Sequence, residues 1–387
     1  MDIKLFTEML RDKHYYDLKK LKYKYGSDFP EFLENLKELY FVALPLCDFQ
    51  GESIFYTENH PVFSSEATKL LFREQTKSYA AKTAENEIIS TCAIENIDIS
   101  RESVRNILKG FAPKDEQESR ILGMKKGFEF ICDVRNKITE ENLHRLYMMS
   151  VGDFLGKDER LKEGCFYRHD DVFVVGSRVE HQGLDSKKIP SFMQKLIAFI
   201  NTEDNINDLA KASIIHFYIA FVHPYFDGNG RMARLLHLWF LIQKGYQSAL
   251  FIPFSSEIEK NRNKYYNAFT LIEENRKISG KTDVTPMISF FAENVYNKVS
   301  SSAVGTDVLS LYKSFLNSGN VTEKEKLLWQ FILSKYGTEE FSTKQLEHDF
   351  SSVAYATVRG FVLKFEKEGL LSSQKYSNRV KYRVKSE

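Results

Sequence analysis

Apolar residues recur every three or four positions along most of the chain, which is the spacing of amphipathic helices. The pattern predicts helices over 28–44 (DFPEFLENLKELYFVAL), 189–200 (IPSFMQKLIAFI) and 208–222 (DLAKASIIHFYIAFV). Residues 165–175 (CFYRHDDVFVV) differ, because β-forming residues flank the polar HDD and predict a short hairpin with HDD at its turn. We therefore expect a mainly α fold with one β-hairpin near the middle of the chain.

A change of composition near 300–320 predicts a domain boundary. The stretches NKVSSSAVGTD and LNSGNVTEKEK are rich in Ser, Gly and Asn, which favour loops. Beyond them, Thr322 is the predicted N-cap of a first helix, two further helices follow, and Gly369 ends the last one. The closing stretch LLSSQKYSNRVKYRV alternates like a two-stranded ribbon. Three helices followed by a ribbon is the order of a winged helix-turn-helix domain, which we predict for 320–387.

Composition and charge narrow the class of protein. The chain of 387 residues is 43% apolar and 28% charged, as in soluble globular proteins, and its length suits two to three domains. A formal net charge of +1 points to neither nucleic acid nor a membrane surface as an overall partner. The N-terminal stretch MDIKLFTEMLRDKHYYDLKK lacks the apolar core of a signal peptide, and no apolar run reaches the ~18 residues of a membrane span. The simplest expectation is a cytoplasmic protein with no membrane partner.

The cysteines are far apart in the sequence and form no CxxC pair. This spacing argues against a zinc knuckle and against a dense disulfide framework. We expect reduced, mostly buried thiols at all four positions, Cys47, Cys92, Cys132 and Cys165.

The stretch HPYFDGNGRMAR, 223–234, joins two predicted helices by a short loop. Pro224 and the glycines end the first helix, and Asn229 is the predicted N-cap of a second helix from about Gly230 to Lys244. The loop therefore leads directly into a helix N-terminus, whose N–H groups and positive dipole end suit an anion.

The side chains of this loop suit chemistry on a nucleoside polyphosphate. The glycines let a phosphate approach the backbone, and Arg231 and Arg234 place two guanidinium groups on one helical face. Asp227 is a hard oxygen ligand suited to Mg²⁺, and His223 is the candidate general base. The loop is not a Walker A motif, because no lysine follows the glycines.

HPYFDGNGRMAR closely resembles the Fic motif HPFx[D/E]GNGRxxR, with Tyr225 where phenylalanine is usual. The segment 166–176 (FYRHDDVFVVG) resembles the flap of that family, a hairpin that aligns the target chain by strand addition. The segments 255–269 and 283–291 are similar to the helices that close its nucleotide pocket. The resemblance covers roughly 85–300 and implies a Fic-fold helical bundle over 86–300, between an N-terminal helical region, 1–85, and the winged helix.

The resemblance implies an activity and a role for each matched residue. Fic proteins mostly transfer AMP from ATP to a protein hydroxyl, so the chain is similar to a protein adenylyltransferase acting on a Ser, Thr or Tyr of a target protein or of itself. His223 would deprotonate that hydroxyl, and Asp227 would hold Mg²⁺ or Mn²⁺ against the phosphates. Other implied contacts are phosphate binding by Gly228, Asn229, Gly230, Arg231 and Arg234, adenine packing by Tyr265 or Tyr266, and flap pairing by Val172, Phe173, Val174 and Val175.

An upstream stretch, ISTCAIENIDIS (89–100), resembles the inhibitory helix motif [S/T]xxxE[G/N] of the same family. The matched residues are Thr91, Glu95 and Asn96, in a helix expected near 85–97. A glutamate that pairs with Arg234 would take away the partner of the γ-phosphate and misplace the α-phosphate, which can cost orders of magnitude in rate. The resemblance thus implies an autoinhibited enzyme.

Two other functions remain open at the level of sequence. The loop serves AMP removal as well as AMP transfer, because both use the same anion site. The chain could instead be a DNA-binding regulator with a nucleotide-sensing core, since basic residues concentrate in the ribbon 374–385. Members of the family often self-associate, so a homodimer is also left open.

Overall fold

The computed structural model describes the chain in segments separated by short gaps. The described residues are 2–58, 61–64, 77–94, 97, 99–156, 159–175, 179–246, 249, 254–298, 315, 320–336, 340–351, 353–376 and 379–385. For 77–84, 86, 173–175, 179–182, 330 and 333–335 only the backbone is described.

The N-terminal part holds three helices and two strands. Helices α1 (Ile3–Leu10), α2 (Leu18–Tyr25) and α3 (Phe29–Leu39) bury a small apolar cluster of their own. Strands β1 (Phe41–Cys47) and β2 (Ser53–Thr57) follow as an antiparallel pair.

The single helix predicted over 28–44 is therefore wrong beyond Leu39, and the region 1–85 is not purely helical. The main chain of FVALPLC pairs with that of SIFYT instead of continuing the helix, and β2 also pairs in parallel with β5 (Thr282–Asp283). This pairing attaches the N-terminal strands to the central part of the chain.

The central part is a helical bundle. Its helices before the hairpin are α4 (Lys77–Ile94), α5 (Arg101–Leu108), α6 (Glu116–Cys132) and α7 (Glu140–Ser150). After the hairpin come α8 (Ile189–Asn201), α9 (Asp208–Val222), α10 (Asn229–Gln243), α11 (Phe254–Lys260), α12 (Arg262–Ser279) and α13 (Thr285–Phe291), the last continued by a π-helical turn, Ala292–Tyr296.

Helix α10 lies in the middle of this bundle, packed against α9. Thirteen of its fifteen residues are buried, among them Trp239 and Phe240. The main apolar core surrounds α9 and α10 and reaches from β1 to the π-helical turn. The loop between α9 and α10 is therefore held by two largely buried helices.

A two-stranded antiparallel hairpin precedes α8. Its strands are β3 (Phe173–Val175) and β4 (Val179–Gln182). The prediction that HDD forms the turn is wrong, because residues 169–171 come before β3. The carbonyl of Asp170 in this stretch accepts a hydrogen bond from the buried guanidinium of Arg168, which holds HDD in a bend ahead of the hairpin.

The C-terminal part contains three helices and a hairpin in the predicted order. They are α14 (Glu323–Lys335), α15 (Thr343–Phe350), α16 (Tyr355–Lys367), β6 (Leu371–Tyr376) and β7 (Arg379–Val384). Thr322 is confirmed as the N-cap of α14, with a capping box to Glu325. These elements bury a separate core that includes Trp329, Phe361 and Phe365. The winged-helix assignment stays a prediction.

All four cysteines are free thiols. Only Cys92 is buried, and Cys132 is exposed, so the expectation of mostly buried thiols was wrong. Within the described segments, none of the helices combines the length and apolarity that crossing a membrane requires.

Candidate active site at the start of α10

The loop between α9 and α10 begins at His223, which caps the C-terminus of α9. Its backbone is left-handed, with φ 54° and ψ 60°, and its N–H donates to the Ile219 carbonyl at 3.0 Å. A left-handed conformation is costly for a residue with a Cβ, so neighbouring contacts must hold it. The His223 side chain is half-buried. The candidate base thus stands where α9 ends and the chain turns toward α10.

Asn229 has a different role from the one predicted. Helix α10 begins at Asn229, and its N-cap is Gly228, so Asn229 is not the cap. The buried side chain of Asn229 faces back into the loop, where Oδ1 accepts from the N–H of Tyr225 at 3.0 Å and Nδ2 donates to its carbonyl at 2.8 Å. This pair of bonds fixes the loop and leaves the backbone N–H groups of the first turn for a ligand.

Gly228 fills a position that no other residue suits. Its φ is +80°, and a Cβ placed there would lie 2.5 Å from Cγ1 of Val151. The glycine therefore permits both the left-handed turn and the close approach of Val151.

We expect Gly228→Ala to destabilise the protein more than Gly280→Ala. Gly280 also has a positive φ, +70°, but no atom lies within 4 Å of an added Cβ, so it reports the backbone strain alone. The difference in free energy of unfolding should be about 1–3 kcal/mol, the usual cost of overpacking. Urea unfolding of both variants measures it, and equal losses would contradict the tight packing at Val151.

The two arginines of α10 are both buried next to the loop. Arg231 Nη2 donates to Asp227 Oδ2 at 2.8 Å, and its Nε has no hydrogen-bond partner among the described residues. Arg234 Nη2 approaches the Thr91 carbonyl of α4 at 3.4 Å. Both guanidinium groups line one small cavity. The structure therefore brings the predicted cationic pair together, under α4.

The Asp227 carboxylate makes hydrogen bonds within the loop and stays partly accessible. Its Oδ1 accepts from the N–H of Gly228 at 2.6 Å, and Oδ2 accepts from Arg231. The side chain is 48% exposed, and each carboxylate oxygen has a second lone pair. A hard cation that also binds phosphate oxygens fits such a single, accessible carboxylate.

Helix α4 is fixed over the arginines by a group of buried polar contacts. Both carboxylate oxygens of Glu87 accept from the N–H of Ser255, at 3.0 and 3.1 Å. The hydroxyls of Thr91 and Ser255 lie 2.9 Å apart. Glu87 and Thr91 line the same cavity as Arg231 and Arg234. No sequence motif marks Glu87 and Ser255, although Glu87 lies one helical turn before Thr91 and so shares its face.

Burial raises the pKa of the Glu87 carboxyl to about 7, although the Ser255 hydrogen bonds and Arg234 act in the opposite direction. A raised carboxyl pKa means that the folded protein keeps a proton that the unfolded chain has released. The free energy of unfolding therefore falls as pH rises from 4.5 to about 7.

We expect Glu87→Gln to remove this pH-dependent decrease in the free energy of unfolding, which amounts to up to about 3 kcal/mol. The variant should gain stability relative to wild type as pH rises through this window, which urea unfolding at several pH values will show. The control Thr91→Val removes a neighbouring hydroxyl without a titrating group, so its effect should be the same at each pH. Parallel pH profiles for wild type and Glu87→Gln would refute the expectation.

The two tyrosines predicted near adenine lie in different environments. Tyr265 is buried, and its hydroxyl lies 2.9 Å from Nε2 of the buried His216. Tyr266 is 45% exposed, with the Arg262 guanidinium over its ring at 5.8 Å. Neither lines the cavity of Arg231 and Arg234. Tyr266 is therefore the one of the pair with a ring face accessible to a ligand.

Residues 137–241 match the model of the Fic/DOC family, and this range includes His223 and the whole loop into α10. The chain carries a Fic domain. The match begins after α4, so it covers neither the proposed inhibitory segment nor the C-terminal part.

Relatives of this Fic domain share its sequence at a low level of identity. Protein adenylyltransferase Fic of Drosophila ananassae is 25% identical over 240 residues, covering 59% of this chain and 42% of the relative. That of Drosophila persimilis is 24% identical over 302 residues, covering 68% and 54%. The chain thus spans about half the length of the curated relatives it matches.

A crystal structure of a Fic family protein from Desulfovibrio desulfuricans G20 superposes with a TM-score of 0.51 and 18% identity. It covers 84% of this chain and 94% of the other. The likeness extends beyond the Fic domain and concerns the fold alone.

Two of the three inhibitory residues predicted from the sequence, Glu95 and Asn96, lie outside the described residues. Thr91 is described, in α4, with its carbonyl at Arg234. The helix itself runs from Lys77 to Ile94 and so crosses the boundary predicted at residue 85.

Proposed function

We propose that the protein is an adenylyltransferase that moves AMP from ATP to a hydroxyl of a target protein. The observation that carries the proposal is the loop His223–Arg234, where a candidate base, a carboxylate and two buried guanidinium groups meet the N-terminus of α10. The name of its relatives, protein adenylyltransferase, supports the same reaction.

In the proposed reaction, the phosphates of ATP lie against the first-turn N–H groups of α10, with Arg231 and Arg234 on the β- and γ-phosphates. The target hydroxyl attacks the α-phosphorus while His223 takes its proton. The bond from the α-phosphorus to the bridging oxygen breaks, and pyrophosphate leaves. Tyr266 packs on the adenine.

Asp227 would hold Mg²⁺ or Mn²⁺ in this reaction, since its exposed carboxylate fits one protein ligand beside phosphate oxygens. Such a cation supplies neutralisation of the charge on the phosphates. Asp227 would also keep Arg231 oriented through the bond at 2.8 Å.

The hairpin β3–β4 would present backbone groups to the target, as an added strand. The pairing registers Phe173 with Gln182 and Val174 with His181, which leaves one edge of each strand for such a partner. Val172 and Val175 complete the proposed flap.

We further propose that α4 restrains the enzyme. Thr91 and Glu87 already occupy the space beside Arg234. Glu95 comes four positions after Thr91 in the sequence. In this closed arrangement the γ-phosphate lacks its site.

Labelling separates transfer from its alternatives. Incubation of the Glu95→Gly variant with α-³²P-ATP and Mg²⁺ should label protein, while γ-³²P-ATP should not, because AMP and not the terminal phosphate is transferred. Binding of ATP without label from either nucleotide would favour AMP removal or a nucleotide-sensing regulator, and label from γ-³²P-ATP would identify a kinase.

A DNA-binding role for the C-terminal part rests on the hairpin β6–β7. Its exposed cationic side chains include Lys375, Arg379 and Arg383. Duplex binding with a steep dependence on salt would support that role, and no binding at low salt would remove it.

A further inference from the structure

Arg168 is a buried arginine of the segment before β3, and its side chain is 0% exposed. Its Nε donates to the His223 carbonyl at 2.8 Å, and its Nη1 donates to the Asp170 carbonyl at 2.6 Å. Its Nη2 donates to the carbonyl of Leu184, just after β4. One guanidinium group therefore joins the carbonyls of three chain segments.

The backbone of Arg168 also takes part. Its N–H donates to the Pro224 carbonyl at 3.0 Å, so Arg168 binds the carbonyl of the candidate base and that of the next residue. The peptide after His223 is thereby fixed at both ends. This is the kind of support that a left-handed, non-glycine residue needs.

The end of the hairpin at Gly183, just after β4, leaves space for the Arg168 side chain. A Cβ at Gly183 would lie 2.7 Å from Nη2 of Arg168 and 2.9 Å from Cγ2 of Val172. The Gly183 N–H donates to the Val172 carbonyl at 3.1 Å, which closes the hairpin over the guanidinium. The Asp171 carboxylate interacts only weakly with this guanidinium, because its Oδ1 lies 3.8 Å from Nη1 of Arg168 and its side chain is half exposed.

We propose that Arg168 is a positioning residue for His223. It holds the histidine backbone in its left-handed conformation and ties it to the base of the β3–β4 hairpin. The distance between the His223 side chain and the proposed target-binding strand is thereby kept constant. The proposal rests on the proposed function, in which His223 accepts the proton of a hydroxyl aligned by that hairpin.

The test compares Arg168→Met, Arg168→Lys and the control Arg160→Met in the full chain, each combined with Glu95→Gly so that transfer is not restrained. Arg160 is matched because it also donates to loop carbonyls, those of Leu155 and Asp153, and its described hydrogen bonds do not reach the loop 223–234. Displacement of a catalytic group by about 1 Å costs ~100-fold in rate, so Arg168→Met should lower kcat to that extent. The Kd for ATP should stay within ~3-fold, because Arg168 does not touch the anion site. Arg168→Lys should recover part of the rate, and Arg160→Met should leave it unchanged.

A second readout does not depend on transfer. The ring signals of His223 in ¹³C-histidine-labelled protein, assigned by their loss in His223→Gln, should shift and broaden in Arg168→Met and stay in place in Arg160→Met. If Glu95→Gly transfers no AMP, the proposed function fails, while the His223 signals still decide the role of Arg168. Should Arg168→Met not fold, Gly183→Ala and Arg168→Lys provide the same comparison. Unchanged His223 signals together with an unchanged rate would overturn the proposal.

Discussion

His223→Ala is expected to abolish AMP transfer while ATP still binds. Removal of a general base typically costs 10²–10⁴-fold in rate, and here no other described side chain in the loop has an ordinary pKa near neutrality. In the proposed reaction α10 and its arginines hold the phosphates, and the change does not touch them, so the Kd for ATP should be close to the wild-type value. Label from α-³²P-ATP measures the rate of AMP transfer, and calorimetry measures the Kd for ATP.

The His223→Ala measurement needs a background in which transfer is not restrained, so Glu95→Gly is combined with it. The matched control is His216→Ala, which removes a buried histidine of α9 two turns earlier, paired with Tyr265 and outside the loop. His216→Ala should lower the stability of the protein. The fraction that stays folded should transfer AMP at an unchanged rate. Transfer that survives in His223→Ala would exclude His223 as the base.

Glu95→Gly is expected to raise self-AMPylation strongly, by roughly 10–100-fold, if misplacement of the α-phosphate is what limits the wild type. The described part of α4 lies against Arg234, as this restraint requires. The Thr91 carbonyl already approaches Arg234 at 3.4 Å, and Glu87 lies in the same cavity. In the proposed restraint, removal of the Glu95 carboxylate would leave Arg234 for the γ-phosphate.

The initial rates of label incorporation in wild type and in Glu95→Gly measure this increase in self-AMPylation. Asp98→Gly is the control, because it removes a carboxylate from the same segment but outside the [S/T]xxxE[G/N] pattern. It should behave like wild type. Equal rates in wild type and Glu95→Gly would place the restraint elsewhere, with Glu87 and its bonds to Ser255 as the next group to change.

The two variants also separate the proposed functions. A restrained adenylyltransferase should transfer AMP when it carries Glu95→Gly alone and should transfer none when His223→Ala is added. A silent Glu95→Gly that still binds ATP points to AMP removal or to nucleotide sensing. The relatives named protein adenylyltransferase favour the first outcome.

The local sequence determined the parts of this protein whose signals lie within a turn or two of chain. The helices α8 and α9, the capping box at Thr322 and the order of the C-terminal elements follow from spacing and cap residues. The motif 223–234 likewise places its base, carboxylate and arginines together, because all of them lie on one loop and the first helical turns after it.

Errors arose where a partner distant in sequence competes with local preference. The segment after Leu39 has a helical pattern, but its main chain pairs with β2, which in turn pairs with β5. Asn229 has the residue type of an N-cap, but its side chain finds both backbone groups of Tyr225 instead.

Only the tertiary structure decided what surrounds the candidate base and the anion site. Arg168 and His223 are 55 positions apart, Thr91 and Arg234 are 143 apart, and Glu87 and Ser255 are 168 apart. Periodicity and motif spacing carry no information over such separations, because these contacts depend on how the helices pack and not on the pitch of any one of them. The sequence therefore determined the chemistry of the loop, and the packing of α4 and the hairpin decided what holds and covers it.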